Sequence, residues 1–502
     1  LLPKGSRELF VRVRIDNATK EDTAVYWWSN MAVDEKEEVR VIVPAKKAFR
    51  YSSGEKLKKI PIPYEKRAVE NLQGEAAKQA KKKGGFLEMD ISKSTTLYQS
   101  TDFFFDVEEQ TRPFIAAIDK QGYGMCQTST QELRGRKLFV WGMGEGGRNW
   151  QRFLAKEGCA YIELQSGLAK TQLEHLPMKG GASISWLESY GALQGDPQKI
   201  HGENWDVAVE EVENALEKAR PNKTIEKWHQ QLKKELDNQN GPVIHRGMGF
   251  AKVEKALLKE AFQTAGLTLE GMRIGVQENP WWILAKTGAL PCPDPLKEPT
   301  SYQIEKHWEK ALQEAIQSKK SDHWFARYQL GVVYAAQGEN KIARKEFLHS
   351  IDHVVNPWAL RCLGVLEMRE GNMDLYANYL QQAAKMKPIP PLIIETLEAL
   401  AKTEQYDEIL ALISTLPLRI KTLERVRVSK ILALIRTKQF SLAQSLLEEP
   451  FALADIREGD RMLTDLWFEL QAYLRYGNKE EKTMKKVHEQ LTPPKHLDFR
   501  MS

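Results

Sequence analysis

The spacing of apolar positions changes character twice along this chain. In residues 8–50 it is close to two: Phe10, Val11, Val13 and Ile15 are interleaved with Arg12 and Arg14, Val25-Tyr26-Trp27-Trp28 is aromatic, and Val39 to Val43 ends at Pro44. These runs predict strands. Lysines dominate residues 52–85 (Lys56, Lys58, Lys59, Lys66, Lys78, Lys81, Lys82, Lys83), broken by Pro61 and Pro63 and closed by Gly84-Gly85. That stretch reads as a solvated loop with one short helix near 68–82. A phosphate-binding patch is the sharper alternative, and the near absence of interleaved aromatics argues against nucleic acid. Residues 86–195 return to strand texture, with Phe103-Phe104-Phe105, Phe114 to Ile118 and Lys137 to Trp141 as apolar runs. The glycine cluster Gly142 to Gly147 lacks the Gly-Lys-Ser/Thr ending of a phosphate loop, and no long amphipathic helix obviously follows it. It reads as a tight loop that lets backbone approach a ligand or a strand.

From about residue 204 the period becomes 3.6. Val209, Val212 and Leu216 mark a helix closed by Pro221. Ile225, Trp228, Leu232 and Leu236 mark a second, closed by Gly241. Val253, Leu257, Leu258 and Phe262 mark a third, closed by Gly266. Asn279-Pro280-Trp281-Trp282 and the segment Pro291 to Pro299 form a connector. Residues 303–480 are helical and repeat: Leu330-Gly331-x-x-Tyr334 returns as Leu363-Gly364-x-x-Glu367, 33 residues on (363 minus 330). The first unit continues with Ala343, Phe347 and Ser350, and the second with Tyr376, Leu380 and Ala383. Weaker units follow at Leu397, Leu400, Ile409, Ile413 and Leu416, then at Leu434, Ala443 and Leu447. Small residues at Gly331, Gly364 and Ala343 let paired helices approach closely. Helix–turn–helix units of ~34 residues are the tetratricopeptide pattern. The expected fold class is α+β and multidomain: a partial antiparallel β-supersandwich over 1–200, a helical connector over 201–302, and an all-α tetratricopeptide-like helical solenoid over 303–490.

Composition narrows the function classes. The chain has 502 residues, 42% hydrophobic and 28% charged, enough for several cores. A net charge of +5 is small for this length and does not suit a general nucleic-acid binder. Cys126, Cys159, Cys292 and Cys362 lie too far apart in sequence for a metal knuckle and read as reduced thiols. The ten His show no paired spacing with an adjacent Glu, so neither metal nor cofactor is expected. No apolar run approaches the ~20 residues of a membrane span. Leu1-Leu2-Pro3 carries no initiator Met and no leader pattern, so the chain reads as an excerpt. The expected location is cytoplasmic, with the possibility of an export signal upstream left open.

Chemistry points to residues 157–191. Cys159 to Leu164 is an apolar run with one carboxylate, Glu163, followed two positions later by Gln165, which a strand points the same way. A carboxylate inside an apolar strand needs a partner or a task. Sugars ask for aromatic platforms and planar hydrogen-bonding groups. Trp27, Trp28, Trp141, Trp150 and Trp186 offer the first; Asn30, Arg112, Glu163, Gln165 and Glu188 offer the second. Against this, strand aromatics are more often core. His175, beside Glu174, could move a proton or simply face solvent. Glu163 and Glu188 form the best carboxylate pair for glycoside hydrolysis, with Asp102 and Asp90 as spares.

Four segments carry a family resemblance: Trp28-Ser29-Asn30, Arg112-Pro113-Phe114, Arg136 to Gly142, and Tyr161-Ile-Glu163-Leu-Gln165-Ser-Gly167. With the closing stretch Leu173 to Tyr190, residues 8–195 resemble the galactose-mutarotase-like β-supersandwich, and more narrowly an uncharacterised bacterial family in which that domain is fused to tetratricopeptide repeats. The resemblance implies a general-base role for Glu163 on the anomeric hydroxyl. The segment that should supply the acid His reads Tyr26 to Met31 and has none, so sugar binding is implied more strongly than ring-opening epimerisation.

The sequence therefore predicts a carbohydrate-recognising protein, whose glycoside-processing activity is open. Glu163 and Glu188 are the catalytic candidates, and Trp28, Asn30, Arg112, Trp141, Trp150, Gln165 and His175 the substrate-binding ones. An oligosaccharide or glycoside is the expected partner, with no nucleic acid and no membrane. The competing reading is a non-enzymatic scaffold that holds a protein or peptide in the repeat groove, where Arg327 and Arg361 would matter. In a third arrangement the helices pack back on the β domain through Trp281-Trp282 and shape its pocket.

Overall fold

The computed structural model describes residues 1–4, 7–51, 56–68, 74–237, 247–259, 262, 269, 271–451, 456 and 460–500. In chain order the strands are β1 (Glu8–Asp16), β2 (Thr23–Val25), β3 (Trp28–Asp34), β4 (Arg40–Ile42), β5 (Lys47–Tyr51), β6 (Lys58–Pro61), β7 (Tyr64–Ala68), β8 (Phe86–Asp90), β9 (Thr101–Phe105), β10 (Phe114–Ile118), β11 (Tyr123–Ser129), β12 (Gly135–Val140), β13 (Tyr161–Gly167), β14 (Leu176–Met178) and β15 (Ser183–Gln194). Two antiparallel sheets dominate, a five-stranded one ordered β1-β15-β11-β10-β4 and a six-stranded one ordered β3-β13-β12-β9-β5-β6. Small pairs β14–β2 and β7–β8 flank them. Phe103, Phe105, Leu138, Val140, Ile162 and Leu164 of the larger sheet share one core with Val41, Ile115 and Ala117 of the smaller.

The helices are α1 (Gly74–Lys82), α2 (Glu145–Leu154), α3 (Pro197–Ile200), α4 (Trp205–Ala219), α5 (Asn222–Leu236), α6 (Phe250–Leu258), α7 (Asn279–Thr287), α8 (Lys306–Gln317), α9 (Trp324–Ala336), α10 (Asn340–His353), α11 (Pro357–Arg369), α12 (Met373–Met386), α13 (Pro390–Lys402), α14 (Tyr406–Thr415), α15 (Leu418–Lys421), α16 (Glu424–Arg436), α17 (Phe440–Glu448), α18 (Met462–Tyr476) and α19 (Glu481–Gln490). The periodic positions do what their spacing demands. Val212 and Leu216 of α4 belong to the same buried cluster as the five-stranded sheet, and Ile225 and Trp228 of α5 pack with Phe10 and Leu187. These two helices cover the outer side of the five-stranded sheet. That is why every residue of β10 is buried: both its faces are covered.

The repeat units become the helix pairs α9–α10, α11–α12, α13–α14 and α16–α17, with Leu363, Phe347, Leu380, Leu397, Ile409 and Leu434 all buried between them. The helices do pack back on the sandwich, but not through Trp281-Trp282. Trp281 stacks edge-on against Trp308, inside the core of the connector and first repeat. The return contact comes from residues 495–500. The Leu497 carbonyl accepts from Thr464 of α18, while Asn149 and Trp150 of α2 donate to the carbonyls of Asp498 and Phe499.

Three local expectations are corrected. The glycine cluster does open a helix, α2; Gly147 is required there because a Cβ would lie 2.2 Å from the Trp141 carbonyl oxygen. Val25 and Trp28 belong to different strands, one paired with β14 and the other with β13. The last strand does not stop with the closing stretch at Tyr190 but runs on, as β15, to Gln194. The helix stops placed at Gly241 and Gly266 lie outside the described residues.

Candidate functional site

Strand alternation decides which side chains can meet. Ser166 of β13 donates to Gln127 of the opposite sheet, and Ser29 of β3 donates to Glu188 of β15, so both serines face the sandwich interior. Their neighbours Gln165, Glu163, Trp28 and Asn30 therefore face outward. The register extends this face across the sheet: Gln165 lies opposite Asn30 and Lys137, and Phe139 opposite Glu163 and Asp102.

Glu163 is half-buried, and one of its oxygens, Oε2, accepts from Asn30 Nδ2 at 2.7 Å and Gln165 Nε2 at 2.8 Å. Among the described residues no Lys or Arg pairs with it. Gln165 Oε1 accepts from Gln172 Nε2 at 2.6 Å, and Gln172 Oε1 accepts from Lys137 Nζ at 2.6 Å. The Lys137 ammonium also sits 2.6 Å from Asp102 Oδ1 and lies over the rings of Phe104 and Phe139. Burial lifts the Asp102 carboxyl above its ordinary range, against the downward pull of Lys137.

This outward face is recessed. Lys137 and Phe139 point away from the sandwich yet are only 5% and 8% exposed. Gln172 comes from the 168–175 loop, which covers one side. On the other, Phe139, Trp141 and Trp150 form an aromatic cluster joined by Tyr161, Ile456 and Phe499. The indole N–H groups of Trp28 and Trp141 have no hydrogen-bond partner among the described residues, which is uncommon for buried donors.

Glu188 is on the wrong side of the sheet for this face. It is fully buried between the sheets and accepts from Ser29, Gln127, Trp186 and Tyr190, at 2.7, 3.2, 3.0 and 2.6 Å. Tyr190 is held neutral by burial and by that carboxylate. Glu163 and Glu188 are thus not brought together; the carboxylate sharing the Glu163 face is Asp102. Arg112 is likewise elsewhere. Buried under α4, it donates to Thr128, Glu217 and the Arg220 carbonyl, locking the helix end to the five-stranded sheet.

Trp150 belongs to α2 and anchors Phe499 through its indole N–H and an edge-on ring contact, so it borders the face without lying on it. His175 is exposed and rests against the Tyr26 ring. Asp90 closes a turn by accepting from Ser92. Trp27 packs edge-on against Trp186. In the repeats, Arg327 pairs with Asp322 and Glu346, and Arg361 with Glu395.

Lys137, Gln172 and Phe139 are the members of the face that sequence reasoning passed over. The signal for Lys137 was close to the one used for Glu163: a charge on an otherwise apolar strand run, Lys137 to Trp141. Gln172 sits in a loop, where no periodicity marks it. A cavity of about 560 Å³ lies far from this face, lined by Ile274, Val276, Pro293, Pro299 and Phe325. Asn279, Lys297, Glu298 and Thr300 also line it, among prolines and aliphatics.

No protein-family profile and no curated protein matches the chain. Among solved structures, a TPR-domain containing protein from Parabacteroides distasonis is similar at 16% identity, over 98% of this chain and 70% of that one, with a TM-score of 0.57. That likeness spans sandwich and helices together and shows the fold alone. A structure named for aldose 1-epimerase, from Escherichia coli K12, aligns over 38% of this chain and 57% of that one, at 9% identity and a TM-score of 0.26. A likeness that weak carries no argument.

Proposed function

We propose that this protein binds a neutral carbohydrate on the outer face of its six-stranded sheet. The observation that carries this reading is the state of Glu163. Two amides hold one carboxylate oxygen, no cation neutralises it among the described residues, and its other oxygen is left as an acceptor. A hydroxyl is the donor such an acceptor suits. The part-exposed Trp28 ring, set edge-on to the buried Phe104 at 6.0 Å, offers apolar contact beside it. The charges gathered here (Glu163, Asp102 and Lys137) sum to minus one, which disfavours anionic sugars.

The test is an array of neutral and uronic-acid oligosaccharides probed with the 502-residue chain, followed by titration calorimetry on the strongest binder. Glu163→Gln is expected to weaken binding by about 10-fold or more, the cost of losing a charged acceptor, while the melting temperature stays put. Equal affinity in the variant, or a preference for uronates, would sink the proposal. Hydrolysis through Glu163 would draw its second carboxylate from Asp102, and is expected to vanish in either Glu163→Gln or Asp102→Asn.

The likeness to a TPR-domain protein favours a second reading, in which the helical array docks a protein. Arg327 and Arg361 are poor candidates for that contact, because both are already ion-paired within the array.

A further inference from the structure

Four hydrogen-bonding groups run in one direction across this face. Lys137 donates to Gln172, Gln172 to Gln165, and Gln165 to Glu163. The two ends dictate the polarity of the middle. An ammonium can only donate, so Gln172 must turn its oxygen to Lys137 and its NH₂ outward. A carboxylate can only accept, so Gln165 must turn its NH₂ to Glu163. Each glutamine alone could flip with no loss of shape. Pinned between a cation and an anion, neither can flip without placing two like groups face to face.

Lys137 itself is held on three sides. Asp102 lies 2.6 Å away, the Phe104 and Phe139 rings lie beneath the ammonium at 5.3 and 5.5 Å, and the side chain is 6% exposed. It is too deep to meet a ligand as a free cation. Burying an ammonium is costly, and an apolar residue would fill the same floor without that cost.

We infer that Lys137 is a positioning residue: through Gln172 and Gln165 it fixes the rotamer and hydrogen-bond sense of Glu163, so that the free oxygen stays aimed at the ligand. This rests on the carbohydrate reading above. The chain of bonds predicts the order in which damage spreads. Changing Lys137 frees both amides; changing Gln172 frees only Gln165; changing Glu163 removes what they serve.

Two variants test it, read with and without sugar. Lys137→Met removes the cation. Gln172→Glu keeps the contact to Lys137 and nearly the same volume, but cannot donate to Gln165, and it stays informative should Lys137→Met fold poorly. With maltotetraose, cellotetraose, xylotetraose and the strongest array binder as probes, Gln172→Glu is expected to lose about 10-fold in affinity, the worth of one hydrogen bond to a charged group. In a Glu163→Gln background the same change is expected to cost nothing further, because it acts through Glu163. Undiminished affinity, or a loss that adds fully in that background, would overturn the inference.

The sugar-free arm follows the side-chain amide resonances of Gln165 and Gln172. They are expected to shift and to exchange faster in Lys137→Met, and unchanged resonances would also overturn it. If no sugar binds the native chain, the carbohydrate reading fails, and the amide resonances still decide whether Lys137 orders the chain.

Discussion

The sandwich and the helical array bury polar groups in opposite ways. Inside the sandwich they are charged and sit deep: Glu188 collects four donors, and Arg136 is surrounded by the carbonyls of Pro113, Leu133 and Gly135 and the Ser129 hydroxyl. Burial holds the Arg136 guanidinium down to about 10, with Glu188 pulling the other way. In the array the most deeply buried polar side chains are neutral, such as Gln329, Ser350, Asn356 and Thr396, and the buried carboxylates Glu346 and Glu367 reach part-exposed arginines, Arg327 and Arg344. Asn356 caps α11 by accepting from Ala359, and Ser350 donates to the Trp324 carbonyl. A sheet leaves its interior crossed by strands from two sides, with room for a polar network between them. Helix pairs meet along one narrow seam, where a buried carboxylate finds its partner only at the part-exposed rim. The lesson concerns carboxylates in strands: Glu163 and Glu188 look alike in sequence, and only the count of donors separates a saturated structural anion from one with an oxygen to spare.

The largest expected effect tests that separation. Glu188→Ala strands four donors and leaves Arg136 without its nearest anion, and is expected to cost about 3–5 kcal/mol. Glu163→Ala removes a half-buried group with two amide partners and is expected to cost under about 1 kcal/mol. Urea unfolding of the two variants side by side measures the difference. Similar losses would mean that donor count does not distinguish the two faces.

How much of this was legible follows the same division. The array could be read directly, because Leu330, Gly331, Leu363 and Gly364 mark the seam at a period that only helices share. The sandwich could be read as strands, and Glu163 with Gln165 and Asn30 emerged on one face because period two places them there. What could not be read was which sheet each strand joins. Glu188 and Arg112 have the residue types of a site, but β15 sits in the smaller sheet with Glu188 turned inward, and Arg112 lies under α4. Lys137 was readable from its strand but was absorbed into an apolar run. Gln172 reaches the face from a loop whose path no pattern encodes.

A smaller effect sharpens the account of the array. A Cβ on Gly331 would lie 2.6 Å from two ring carbons of Phe347, which is fully buried. On Gly364 the nearest atom, Tyr379 Cβ, is 3.2 Å away. Either Gly→Ala change gains about 1 kcal/mol of helix propensity. Overpacking at Gly331 is expected to cost about 1–3 kcal/mol, so Gly331→Ala comes out destabilising or at best even, and Gly364→Ala close to neutral. If the order of the two is reversed in thermal melts, close approach is not what the first glycine serves.

The smallest effect sits where the array begins. His323 is at the N-cap of α9: its Nδ1 accepts from the Ala326 N–H at 3.3 Å, and its Nε2 lies 3.0 Å from the Leu290 carbonyl, to which it can only donate. Asn356, one repeat later (356 minus 323 is 33), does the same capping without a titratable ring. Protonating His323 destroys the acceptor. Burial holds its pKa below the ordinary 6.5, although the Leu290 bond opposes the shift. The folded state therefore prefers the neutral ring. Its contribution is whole above 6.5 and is lost as pH falls through the depressed value. A lost cap is worth about 1 kcal/mol, or roughly a 5-fold faster opening of the first turn. Exchange of the Ala326 amide, corrected for intrinsic rates and compared between about pH 7.5 and about pH 5.5, should show that acceleration in the native chain. His323→Asn, which copies the next repeat, should abolish it. Exchange that responds to pH equally in both proteins would place the sensitivity in another group, and the two repeats would then differ in something other than their caps.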